Sequence, residues 1–183
     1  MLDNSLGEAD YYDERDYIGI LRRLVIYAID IFVLLMLGVA VGIPITITAV
    51  LEILPLDPGI TFWLVYLLAI WTYLAPIKRT RFGTLGYLIC GVRIVSATGA
   101  PPSLLVMTTR MVLWIANPFN TITDLCWIGL DSERQILRDC YLGNYLVNRN
   151  AQPIGSGPVH LTRYFAMGFA MAYPRVCRGK LGS

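Results

Sequence analysis

The stretch LVIYAIDIFVLLMLGVAVGIPITI, residues 24–47, decides the class of this protein. Every residue in it is apolar or small except Tyr27, Asp30, Thr46 and the helix-bending Pro44, and a bilayer span needs about 20 such residues. A second run, FWLVYLLAIWTYLAPI, ends at Ile77 and carries no charge. Together they predict a transmembrane helical hairpin. The acidic, Tyr-rich segment LDNSLGEADYYDERD precedes the first run, and no small-residue cleavage site follows it, so a signal peptide is not expected. The composition agrees: 56% of 183 residues are hydrophobic and 15% charged, where a soluble domain carries about a quarter charged residues.

The same numbers exclude several classes. A net charge of +2, scattered along the chain, does not suit a nucleic-acid binder. The single His160 removes any metal site built on two imidazoles, and Cys90, Cys126, Cys140 and Cys177 form no C-x-x-C pair. Neither a metal nor a cofactor is expected. Catalysis is not expected either, because serine chemistry lacks a base and an intramembrane aspartyl mechanism needs two carboxylates facing each other in the bilayer.

Positive residues stay on the cytoplasmic side of a membrane. Arg15, Arg22 and Arg23 precede the first helix; Lys78, Arg79, Arg81 and Arg93 follow the second; the connection EILPLDPG holds only Glu52 and Asp57. Both ends of the hairpin, and with them the N-terminus, are therefore expected inside. Beyond it, FGTLGYLICGVRIVSATGAPPS predicts a short amphipathic helix, a strand and a tight turn at the inner surface. The third apolar region, Leu104 to Leu130, is interrupted by Arg110, by NPFN at 117–120 and by Asp124, and predicts a broken or re-entrant hairpin returning inside. After Asn150, AQPIGSGPV reads as a linker and TRYFAMGFAMAYPRVCRGK as an interfacial helix whose bases, Arg163, Arg175, Arg178 and Lys180, face anionic lipid or a partner subunit. The expected fold is thus all-α apart from one short β-turn element. Its expected parts are an acidic segment (1–16), a transmembrane domain (17–150) and a basic tail (151–183).

The charges near the membrane carry the functional question. Asp30 lies about 10 Å along the first helix from Arg23, and a central Asp costs on the order of 3 kcal/mol to insert. Helical spacing puts Arg23, Tyr27, Asp30, Leu34 and Leu37 on one stripe, which should face the protein interior, with the Tyr27 hydroxyl between the two charges. Gly38 and Gly42 form a G-x-x-x-G step that lets another helix approach closely.

Three blocks, RRLVIYAID at 22–30, TLGYLICGVRIVSATGAPPSL at 84–104 and RQILRDCYLGNYLV at 134–147, resemble the signature blocks of the RDD family of small integral membrane proteins. The family Arg matches Arg23, its first Asp matches Asp30 and its second matches Asp139; Tyr87 replaces a usual basic residue, and Cys140-Tyr141 an aliphatic pair. The resemblance implies a bacterial inner-membrane protein and leaves transport, including cation/proton exchange, as one activity. Arg23, Asp30 and Asp139, supported by Arg22 and Arg138, are expected to form one charge cluster, either an ion-binding site titrating at Asp30 or a fixed ion pair. The partners expected are the lipid bilayer and other membrane subunits or a second copy. A non-catalytic accessory or scaffold subunit is the favoured function; a small oligomeric transporter is the alternative.

Overall fold

The computed structural model describes residues 5–53, 55–116, 124, 127, 134–166 and 169–177. The first apolar run forms α1 (Ile20–Val50), a continuous helix of 31 residues that passes through Pro44. Helix α2 (Pro58–Thr72) starts as its sequence dictates. Asp57 caps it by accepting from the backbone N–H of Ile60 at 3.0 Å, and Pro58 occupies the first turn, where no N–H is needed. It runs on without a break into a π-helical turn, Tyr73–Ile77, that contains Pro76. Counted to Ile77 the second helix has 20 residues, enough for one crossing.

The hairpin is closed by the Gly step. A β-carbon at Gly38 would lie 3.3 Å from the Tyr66 ring and one at Gly42 would lie 3.6 Å from the Phe62 ring, so the close approach serves α2 of the same chain. The Tyr66 hydroxyl donates to the Leu34 carbonyl at 3.0 Å. The remaining faces are apolar and open: Phe32, Leu35, Val39, Ile43, Leu64 and Leu68 are all exposed, as lipid-facing residues should be.

The expectation of an all-α protein is corrected by the rest of the chain, whose described residues carry five strands in two antiparallel sheets. Strand β1 (Glu8–Tyr11) lies in the acidic segment and pairs with β4 (Gly155–Ala166), which pairs with β5 (Phe169–Val176). The tail read as a linker and interfacial helix is therefore a β-hairpin. Its ten-residue apolar stretch suits either state by length, and β-branched and aromatic residues, together with Pro174 and the glycines before it, tip it to strand. The second sheet joins β2 (Val92–Ser96), the strand expected from the sequence, to β3 (Asn144–Asn148). Helix α3 (Leu85–Ile89) leads into β2, and α4 (Leu104–Ala116) and α5 (Leu137–Leu142) lie between β2 and β3. The re-entrant turn expected around NPFN at 117–120 lies outside the described residues.

The two sheets share a core of Tyr11, Tyr12, Tyr17, Val95, Tyr145, Val147, Val159 and Val176. A second cluster, Ile18, Ile26, Ala75, Tyr87, Val92, Met107 and Leu146, ties β2 and β3 to α1, the π-turn, α3 and α4. The helical hairpin thus stands on a β platform, and the charged residues lie where the two meet.

Candidate functional site

Arg23, Ile26, Asp30 and Leu34 are the buried residues of α1, so the predicted stripe does face inward. Its charges do not pair with each other. Asp30 accepts four hydrogen bonds: from the Tyr73 hydroxyl (2.9 Å) and the Gly86 backbone N–H (3.1 Å) at Oδ1, and from Lys78 Nζ (3.0 Å) and the Thr84 hydroxyl (3.0 Å) at Oδ2. Tyr73, not Tyr27, supplies the hydroxyl. Tyr27 is half-buried and lines a cavity beside Asp30.

The π-turn explains how Tyr73 and Lys78 reach one carboxylate. Residues five apart on an α-helix point about 140° away from each other, whereas i→i+5 bonding brings them back to one side. The chain from α3 reaches the same carboxylate because Gly86 has no side chain. A β-carbon there would lie 2.8 Å from both Asp30 Oδ1 and the Ile26 carbonyl. Lys78 is further held 4.6 Å over the Tyr87 ring, the residue that stands where the resemblance led one to expect a base.

Asp139 is the second centre. It is fully buried on α5, bonded to Arg110 Nε at 2.6 Å and Nη2 at 3.3 Å, and paired with Arg23 Nη1 at 3.3 Å. Arg23 also donates to the carbonyls of Ile18 and Arg134. Burial pushes the Asp139 carboxyl up, but Arg110 and then Arg23 outweigh it and hold it below the usual carboxylate range. Arg138 belongs to a third pair, with Asp124 at 2.5 Å. Here burial outweighs the arginine and the Asp124 carboxyl is raised.

Arg22 is elsewhere. It ties α1 to the platform through Asn148 Oδ1 (2.7 Å) and the Cys90 carbonyl (2.6 Å). The single cluster expected from Arg23, Asp30 and Asp139 is therefore split in two, with Lys78 and Arg110 as the missed partners. Both were visible as charges next to apolar runs, but only the fold pairs them. A cavity of about 30 Å³, room for about two waters, lies between the centres and is lined by Tyr27, Asp30, Lys78, Arg110 and Arg138.

The depth of Asp30 follows from the helix lengths. The part of α1 beyond Asp30 has about 20 residues and spans about 30 Å, the whole hydrocarbon thickness. Lys78 directly follows the 20-residue second span. Asp30 and Lys78 therefore meet at one boundary of the bilayer, not at its middle. Among the described residues, no group of three or more His, Cys, Asp or Glu side chains could hold a metal ion.

The family model of the RDD family matches residues 17–143. That span holds both carboxylate centres. No curated protein and no solved structure matches the chain. On the family match, and with two helices long and apolar enough to cross a bilayer, the chain belongs to the RDD family and is an integral membrane protein.

Proposed function

We propose that this protein is a non-catalytic accessory or scaffold subunit of a larger membrane complex, with its N-terminus and β platform on the cytoplasmic side. The observation that carries this is the occupancy of Asp30: Lys78, Tyr73, Thr84 and Gly86 fill both carboxylate oxygens. An ion-carrying carboxylate must exchange its partners during each cycle. One bound by a lysine, two hydroxyls and a backbone N–H holds helices in register instead. Its place at the bilayer boundary and the double arginine clamp on Asp139 support the same role. The open apolar faces of α1 and α2 suit lipid or the helices of other subunits.

Gentle solubilisation followed by native electrophoresis tests this. Migration within a complex much larger than a small homo-oligomer is expected, and migration only as a small homo-oligomer would count against it. The cavity between Asp30 and Arg110 favours a second reading, a small oligomeric transporter titrating at Asp30. For that reading Asp30→Asn abolishes ion flux in proteoliposomes while the protein remains folded; unchanged flux removes it.

A further inference from the structure

The platform holds a second cavity, of about 470 Å³, that the charge centres do not use. Arg79, Arg81, Arg93 and Arg149 line it together with Gly99 and Gln152, and no carboxylate does. None of the four arginines takes part in an ion pair among the described residues. Asp10 lies just beyond Gly99 and pairs with none of them. Two guanidinium groups are fixed in place: Arg93 Nη2 donates to the Ala151 carbonyl at 2.6 Å and Arg149 Nη2 to the Phe82 carbonyl at 2.9 Å. Their Nε atoms are buried and have no hydrogen-bond partner. Four like charges around one hollow repel each other, and partly buried guanidinium groups without a counter-charge are costly. A bound anion offsets both.

The cavity also adjoins the bilayer. Arg79 and Arg81 lie within four residues of the end of the second span, and the Phe82 carbonyl that holds Arg149 belongs to a residue 67% exposed. Leu85, Leu88 and Ile89 of α3 extend that exposed apolar surface. Apolar residues left open beside the end of a span mark the level of the lipid headgroups. Basic pockets at that level accept phosphate, and planar guanidinium groups match it with paired N–H bonds.

We propose that this four-arginine cavity binds a phosphate group, carried by an anionic phospholipid headgroup or by a soluble phosphoester. The site does not depend on whether the protein is a scaffold or a transporter. To test it, the full chain in neutral detergent is titrated with dioctanoyl phosphatidic acid, with dioctanoylglycerol, which has the same chains without phosphate, and with inorganic phosphate. Thermal unfolding is the readout. Saturating phosphatidic acid is expected to raise Tm by about 5 °C, with no rise from dioctanoylglycerol. A rise confined to the lipid assigns a headgroup, and one matched by inorganic phosphate assigns a soluble phosphate; both support the site. Arg79 and Arg81 are exposed and their side chains make no hydrogen bond to the described residues, so the double variant R79Q/R81Q should fold normally and bind phosphatidic acid about tenfold more weakly. The proposal is overturned if no phosphate probe stabilises the protein beyond dioctanoylglycerol, or if the folded double variant responds as the wild type does.

Discussion

Asp30 and Gly86 constrain each other directly, since the carboxylate of one occupies the space a side chain on the other would need. Gly86→Ala should therefore push α3 off α1 and break the hydrogen bond from the Gly86 N–H. Thermal unfolding in detergent should show a loss of several degrees, larger than for Gly42→Ala, where the neighbouring ring leaves 3.6 Å. Asp30→Asn leaves Lys78 buried without a counter-charge, which costs about 3–5 kcal/mol. A variant as stable as the wild type would show that Lys78 finds water or another partner. At Asp139 the folded carboxyl lies below its ordinary value of 3.8, so its contribution is fully present above that pH and is lost as pH falls through the lower folded-state value. Asp139→Asn should lower Tm at pH 7 and flatten the fall in stability below about pH 4. An acid limb as steep as the wild type's would assign that fall to other carboxylates.

At the scale of elements, the π-turn is the decisive device. Its wider bonding sets Tyr73 and Lys78 on one side of the second helix, and Pro76 within it has no N–H to donate. Inserting one residue within Tyr73–Ile77 should turn Lys78 about 100° further round the helix, away from Asp30. The expected result is destabilisation similar to Asp30→Asn, with little added effect when the two changes are combined, because both break one interaction. Apolar periodicity made the two spans legible, and Val92 to Val95 announced β2. The π-turn was not legible, because five residues of apolar helix look alike in either register. The tail differs from its expected helix for a related reason: a short apolar stretch between basic residues suits an interfacial helix as well as a buried strand, and its partner β1 lies about 150 residues away in an acidic segment.

For the whole molecule, the consequence is that the N-terminal strand meets the C-terminal hairpin. Strand β1 lies against β4, and Tyr11, Tyr12, Val159 and Val176 share one core. Deleting residues 151–183 would bare that core, although the deletion lies outside the matched family region. Limited proteolysis should then cut the N-terminal segment readily while leaving the helical hairpin protected by lipid. Equal protease resistance in the full and shortened chains would show that the platform stands without its outer sheet.

The sequence by itself determined that this is a membrane protein and where its two apolar helices run, and it singled out Arg23, Asp30, Arg138 and Asp139, all of which the fold buries. Long apolar runs and the charges interrupting them are local properties, readable along the chain. Partnership was decided only by the tertiary structure. Arg23 reaches across 116 residues to Asp139, and Lys78 across 48 to Asp30. A charge placed beside a membrane needs a counter-charge, but which one it finds depends on helix register and on where a glycine lets two backbones touch.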